Sequence, residues 1–125
     1  MSKFELQIGL EHAVLFLSDT TLDESLPPDT GAAVVTATDD CICFWVQPYD
    51  EGGARVTISD QPCEDGVRYF SGTISTPSKI VTASDSYGFA YLNVPVEGVD
   101  TQVEIWFSDD ANPEWTWIRL PIAAY

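Results

Sequence analysis

Residues 4–10 read FELQIGL, and this stretch decides the fold class. Every second position from Phe4 to Leu10 holds a large apolar residue, whereas the positions between them hold Glu, Gln and Gly. Successive side chains of an extended chain point to opposite faces, so this alternation is typical of a β-strand with one buried face. Nowhere does the chain show an amphipathic helical period longer than about two turns.

The same strand-like pattern recurs along the chain. Further strands are predicted at 14–17, 32–36, 41–47, 54–59, 67–76, 87–94, 102–107 and 115–122. Turn-forming clusters such as Asp50-Glu51-Gly52-Gly53 separate them, and residues 18–30 are predicted to form a long connection. Eight or nine short strands with frequent turns are typical of an antiparallel sandwich or barrel. We therefore predict an all-β antiparallel β-sandwich, folded as one domain over residues 1–125.

Two of these strands identify the core. Their apolar faces consist of Ile42, Phe44, Val46, Val103, Ile105 and Phe107. A register shift of one residue would expose this whole set, so we expect all six side chains to be buried. The opposite faces carry Trp45 and Trp106 beside polar groups. These two rings are either covered by long loops or exposed as aromatic anchors, and the pattern leaves both alternatives open.

The charge of the chain indicates its kind of partner. Twenty acidic residues and five basic ones give a formal net charge of −15. A disordered acidic chain is excluded, because 45% of the residues are hydrophobic and 12% are aromatic. Nucleic acid and anionic membranes are not expected as direct ligands, because their phosphates would be repelled. We expect a basic protein partner instead.

Catalytic and metal-binding motifs are not recognisable. Cys41-x-Cys43 with Cys63 and His12 lacks the spacing of a zinc knuckle, and the acidic pairs lie in no calcium-binding loop consensus. We therefore predict a non-enzymatic protein that requires no metal and no cofactor. The odd number of cysteines and the absence of an apolar leader after Met1 predict reduced thiols and a cytoplasmic location, with a disulfide from Cys63 left open.

Candidate partner-binding residues are those where acidic side chains are dense beside aromatic ones. The first group lies at one end of the domain and comprises Asp109, Asp110, Glu114 and Trp106. The second acidic group comprises Asp39, Asp40, Asp50 and Glu51. Their carboxylates are predicted to take the place of phosphates on a cationic surface, with a tryptophan as the anchor of the interface.

A further indication comes from the order of several short segments. FELQI at 4–8 leads into VLF at 14–16, GAA at 31–33 precedes ICF at 42–44, and LNVPVEG at 92–98 is followed by VEIW at 103–106. This order resembles the competence protein J family of small β-rich nuclease inhibitors. The resemblance implies a chain that binds and silences a nuclease. In charge and size the chain is also similar to bacterial immunity proteins and to acidic phage-encoded inhibitors that imitate DNA.

The leading hypothesis from the sequence is an acidic inhibitor or immunity-type binding protein that occupies a cationic surface of a nuclease, toxin or other nucleic-acid-handling protein. One alternative is a ligand-binding β-sandwich for calcium or carbohydrate. The other is an unrelated function, with the acidity serving as adaptation to high salt. The sequence does not indicate the oligomeric state.

Overall fold

The computed structural model describes residues 3–10, 14–19, 35–47, 49–85, 89–108 and 114–123. These residues form ten strands: β1 Lys3–Ile8, β2 Val14–Asp19, β3 Val35–Ala37, β4 Cys41–Trp45, β5 Ala54–Ser59, β6 Val67–Ser75, β7 Ile80–Asp85, β8 Ala90–Pro95, β9 Asp100–Phe107 and β10 Trp115–Arg119. One turn of 3₁₀ helix, Tyr49–Glu51, lies between β4 and β5. Within these ranges no helix is long and apolar enough to cross a bilayer.

The strands form two five-stranded sheets. Sheet A has the order β1-β5-β10-β9-β6, and sheet B has the order β3-β4-β2-β7-β8. All pairs are antiparallel except β5 and β10, which run parallel in the middle of sheet A. The predicted all-β class is confirmed, and the two mostly antiparallel sheets agree with the predicted β-sandwich.

The core contains the side chains that the alternating pattern places on one face. The six predicted core residues are at most 6% exposed: Ile42, Phe44, Val46, Val103, Ile105 and Phe107. They belong to one cluster of buried apolar side chains to which both sheets contribute, including Leu15 and Leu17 of sheet B and Val56 and Ile58 of sheet A. The register inferred from the alternation is therefore correct for both strands.

Strand β7 was not predicted. It reads IVTASD, and five of its six residues are buried. Small and polar side chains occupy much of it, so the strand lacks the alternation of apolar and polar residues by which strands such as β1 and β9 were predicted. Asp85 is the last residue of this strand and is 8% exposed. Smaller differences affect strand ends: β2 continues to Asp19, into the predicted connection 18–30, β3 ends at Ala37 instead of 36, and β10 ends at Arg119 instead of 122.

Candidate partner-binding surfaces

The second predicted acidic group is divided between the two ends of β4. Asp39 and Asp40 precede the first residue of this strand, whereas Asp50 and Glu51 follow its last residue, Trp45. Five residues of strand separate the pairs, which corresponds to a length of about 14 Å. The two pairs therefore belong to opposite ends of the sandwich and cannot form one compact cluster.

The turn at Asp39 and Asp40 is held by hydrogen bonds that leave its carboxylates unused. Thr38 Oγ1 accepts the amides of Asp40 and Cys41 at 3.3 and 3.2 Å. The backbone carbonyl of Asp39 accepts the amide of Ser75 at 2.8 Å, which fixes the turn against the end of β6. Asp39 is exposed and Asp40 is half-buried, so both side chains are available to a partner.

At the other end of the sandwich, Glu51 and Glu114 line the same depression. Glu51 lies in the 3₁₀ turn, where Gln47 Nε2 donates a hydrogen bond to its backbone carbonyl. Glu114 precedes β10, and its amide donates to Ser108 Oγ at 2.7 Å. Both carboxylates line a small depression of about 190 Å³ that also contains Arg55. The structure thus joins Glu114 of the first predicted group to Glu51 of the second.

Of the other members of the first predicted group, only Trp106 lies within the described residues. Asp109 and Asp110 lie outside the described residues, between Ser108 and Glu114. Trp106 is on the outer face of sheet A, opposite Trp117 on β10 and Arg68 on β6, and is only 9% exposed. Little of its indole ring is left for a partner, whereas Trp45 in sheet B is 37% exposed.

Most of the acidic coat has no basic counterpart. Ten exposed or half-buried carboxylates have no ion-pair partner among the residues that the structure describes: Asp39, Asp40, Asp50, Glu51, Asp60, Glu64, Asp65, Glu97, Asp100 and Glu114. Two further acids are buried, Asp19 at 2% and Asp85 at 8% exposure. All of the chain's Lys and Arg residues lie within the described ranges, so the coat stays negative over the turns.

Neutralisation is concentrated on the outer face of sheet A. Lys3 pairs with Glu5 at 3.3 Å, and Glu104 accepts both Arg68 at 3.0 Å and Arg119 at 3.2 Å. Arg55 lies on the same face, so only one of the five basic residues, Lys79, is elsewhere. This face is therefore the least negative part of the described surface, and the ends of the sandwich are the most negative.

A groove crosses this face beside β10. The segment 60–66, which connects β5 to β6, passes over the β10 side chains: the Asp60 carbonyl accepts Arg119 Nε at 3.2 Å, and the Gln61 carbonyl accepts Trp117 Nε1 at 2.9 Å. The groove has a volume of about 650 Å³, and half-buried Trp115 and Trp117 line it. The ammonium group of Lys3 lies 5.5 Å from the centroid of the Trp117 ring, within the range of a cation–π interaction.

The cysteines show no arrangement for a metal. None of the three forms a disulfide, and Cys41 and Cys43 are on the outer face of sheet B, away from Cys63 in the segment 60–66. Burial raises the pKa of the Cys63 thiol, which donates to the Asp65 carbonyl at 2.7 Å. In the described ranges, which omit His12, no three His, Cys, Asp or Glu side chains are grouped to hold a metal ion.

The chain is similar to known proteins in its fold. No protein-family model and no curated protein sequence matches the chain. Its structure superposes on the crystal structure of ComJ, inhibitor of the DNA degrading activity of NucA, from Bacillus subtilis, with a TM-score of 0.69. The fold is similar to that of ComJ. The match covers 98% of this chain and 96% of ComJ at 12% sequence identity.

A second solved structure, described as Crocagin biosynthetic gene J, matches with a TM-score of 0.56. It has 14% identity and the match covers 96% of this chain and 97% of that one. At such identities the likeness extends to the fold alone. The resemblance to the competence protein J family that the sequence suggested is confirmed at that level.

Proposed function

We propose that this chain is an acidic, non-enzymatic inhibitor or immunity-type binding protein of the cytoplasm. Its target is a basic surface of a nuclease, toxin or other nucleic-acid-handling protein. The observation that carries the proposal is the set of ten carboxylates without an ion-pair partner among the described residues, most of them on turns and connections. The fold of ComJ, which inhibits the DNA degrading activity of NucA, supports the same role.

The physical mechanism is replacement of nucleic-acid phosphates by carboxylates. A nuclease holds its substrate with Lys and Arg, and the same cations would bind the acidic turns at Asp39-Asp40 and at Glu51 with Glu114. The two ends are about 14 Å apart or more, so a cationic cleft that contacts several phosphates could engage one or both. Long-range attraction by the net charge of −15 accelerates the encounter. Nucleic acid itself and anionic membranes are repelled by this coat.

The direct test is inhibition of nuclease activity from the source cell. Cell extract is fractionated, each fraction degrades plasmid DNA, and the purified protein is added in increasing amounts. We expect one fraction to lose activity in proportion to the added protein and to yield a stable complex on size-exclusion chromatography. If no fraction loses activity with the protein in large excess, the nuclease-inhibitor role is wrong.

Two double variants serve as matched probes in the same assay. The first double variant, Asp39→Asn with Asp40→Asn, removes two charges from one end of the sandwich. The second, Asp50→Asn with Glu51→Gln, removes two charges from the opposite end. Unequal loss of inhibition would identify the end that the partner contacts. Equal and small losses would mean that the acidic coat acts only through its total charge.

A carbohydrate ligand is the second candidate function, and the groove on sheet A favours it. A volume of about 650 Å³ is in the usual range of ligand sites, and the half-buried rings of Trp115 and Trp117 offer surfaces for stacking. Titration with oligosaccharides, followed by tryptophan fluorescence, tests this candidate. A saturable change that Trp117→Leu abolishes would support it, and no change across the panel would exclude it.

A further inference from the structure

The four edge strands of the two sheets differ in how they are protected against pairing with another chain. Natural edges are usually short, charged or interrupted by proline. Among the edges here, β3 has three residues, β8 ends in Pro95, and β1 presents Lys3 and Glu5. Strand β6 has nine residues, VRYFSGTIS, without proline or an acidic residue. Its protection is limited to Arg68 and to an irregularity in register between Arg68 and Phe70, so residues 70–75 form the longest uninterrupted edge segment without a charge or proline among the described strands.

The hydrogen bonds at the end of β6 show which of its backbone groups face outward. The Thr76 amide donates to the Val99 carbonyl at 2.6 Å. Thr76 and every second residue before it, such as Ile74 and Gly72, therefore direct their backbone groups toward β9. The Ser75 amide instead donates to the Asp39 carbonyl at 2.8 Å, on the side away from β9. Because an antiparallel strand alternates in this respect, and because the register of β6 with β9 is continuous from Phe70 to Ser75, the backbone groups of Ser71 and Thr73 also point outward. We name residues 67–73 the open edge.

The side chains of the open edge are suited to pairing with a strand. Val67 is 48% exposed and Tyr69 is 38% exposed, and the Tyr69 ring packs edge-on against buried Phe107 with centroids 5.2 Å apart. Ser71 and Thr73 are both hydrogen-bonded to Gln102 on β9 at 2.9 and 3.1 Å. The open edge therefore offers backbone hydrogen bonds and apolar surface, and its one charged side chain, Arg68, is paired with Glu104.

Acidic residues flank the open edge at both ends. Glu64 and Asp65 come just before β6, and both are exposed. At the other end, Asp39 is bonded to Ser75 through its backbone, and Asp100 is the register partner of Ser75. None of these four carboxylates has an ion-pair partner among the described residues. Between these two negative ends the open edge carries one charged side chain, Arg68, which is paired with Glu104.

We propose that the open edge binds a β-strand of the basic protein partner, one that alternates apolar and polar residues and carries Lys or Arg at both ends. This inference rests on the proposed function and specifies its docking mode. Strand addition supplies main-chain hydrogen bonds, and the flanking carboxylates fix the register through the basic ends. A second copy of this chain is not the occupant, because antiparallel pairing of two β6 strands would place Glu64 and Asp65 against Asp39 and Asp100.

The first test uses a probe that does not require the natural partner. The probe is an acetylated and amidated seven-residue peptide in which valine and threonine alternate between terminal lysines. Its titration is followed by nitrogen–proton correlation spectra of the labelled full chain. We expect shifts at residues 67–73, and at nine-tenths occupancy about tenfold slower hydrogen exchange at the Ser71 and Thr73 amides. Shifts confined to the acidic turns, or no shifts, would overturn the proposal.

Controls separate strand pairing from charge. The same peptide with glutamates at its ends should bind at least about tenfold more weakly, because it would meet like charges. A version with proline at its centre should not slow exchange at Ser71 or Thr73, because proline lacks a ladder donor. If the proline version protects these amides equally, pairing through the backbone is wrong.

The second test compares variants in the nuclease-inhibition assay. Ser71→Pro removes an outward amide and Ser71→Ala keeps it, so only the proline variant should weaken inhibition, by about tenfold or more. Val67→Asp should weaken inhibition by a similar factor, although the added charge attracts a basic partner. Val99→Asp adds the same charge at a site with a similar exposure of 52% and should leave inhibition unchanged.

The outcomes distinguish the docking mode from the function. Inhibition that Ser71→Pro and Val67→Asp leave intact overturns strand addition and retains the inhibitor. Peptide addition at the open edge without inhibition of any nuclease retains the docking mode and rejects the inhibitor role. A dimer of the chain that Ser71→Pro dissociates, measured by sedimentation, would show that the edge binds a second copy and would overturn the proposal.

Discussion

The Tyr91 hydroxyl donates a 2.7 Å hydrogen bond to Asp85 Oδ2, while Asp85 Oδ1 accepts the amide of Phe89 at 3.0 Å. The carboxylate is 8% exposed and closes the connection between β7 and β8. A buried carboxylate that loses a hydrogen-bond donor is costly, so we expect Tyr91→Phe to lower the free energy of unfolding by about 1–3 kcal/mol. Urea denaturation measures this, with Tyr69→Phe as the control on an exposed ring.

The same contact should make stability fall at alkaline pH. Burial, followed by the bond to Asp85, raises the pKa of Tyr91 to about 12 from its ordinary value of 10. Because the folded pKa is the higher one, the contribution of Tyr91 is complete below pH 10 and is lost as the pH rises toward 12. Unfolding measured between pH 9 and 12 should show this loss in the native chain. Tyr91→Phe should flatten the profile, and an unchanged slope would contradict the assignment.

Association with the partner should depend on salt and on the acidic turns. Charge reversal of Asp109 and Asp110 to lysine is expected to slow association by roughly two- to fivefold or more at low ionic strength. Near 1 M salt the difference should vanish, because the screening length falls to about 3 Å. Surface-plasmon kinetics at two salt concentrations checks this, and an on-rate that ignores both changes would leave the charge a matter of solubility.

The structure alters what is expected of Trp106. A ring that is only 9% exposed contributes mainly to packing, so Trp106→Ala should lower the free energy of unfolding by about 3 kcal/mol. Its effect on dissociation from the partner should be small once stability is taken into account. Trp45→Ala in sheet B is the comparison, since that ring is 37% exposed. A large increase in off-rate for a stably folded Trp106 variant would restore its role as an anchor.

Gly66 should not tolerate a side chain. It has a φ of +85°, and an added Cβ would lie 2.5 Å from the Phe107 carbonyl oxygen and 2.7 Å from the Trp115 ring. Gly66→Ala is therefore expected to destabilise the fold by more than about 1 kcal/mol and to displace the segment 60–66. Gly98→Ala is the matched control, because its nearest neighbour would be 3.6 Å away. Thermal unfolding of the two variants should differ clearly.

Most strands that the sequence predicted alternate between a buried and a more exposed face, and β2, which is covered on both faces, was predicted as a short run of large apolar residues. β4 and β9 alternate clearly because their outer faces carry polar or aromatic groups, and their core residues follow from that pattern. β7 escaped prediction because it is covered on both faces and filled with small residues. Strand order, including the parallel pairing of β5 with β10, is a long-range property that local pattern does not encode.

The candidate site was predictable in composition but not in arrangement. Acidic turns could be identified from the sequence, and the division of Asp39-Asp40 from Asp50-Glu51 follows once a strand is placed between them. The placement of Glu51 and Glu114 at one depression depends on how β5 and β10 pair. The cover over Trp106 and the open edge of β6 likewise appear only when sheet order is known.

Strand β10 lies at the centre of sheet A, although it is the last of that sheet's five strands to be synthesised. During synthesis the strand that lies between β5 and β9 is therefore missing until residues 115–119 have left the ribosome. Core residues such as Val56 and Ile105, which are buried in the folded chain, are expected to be incompletely covered during that interval. We expect the dense negative charge to keep nascent chains apart, so that the same carboxylates oppose aggregation before the sheet is complete.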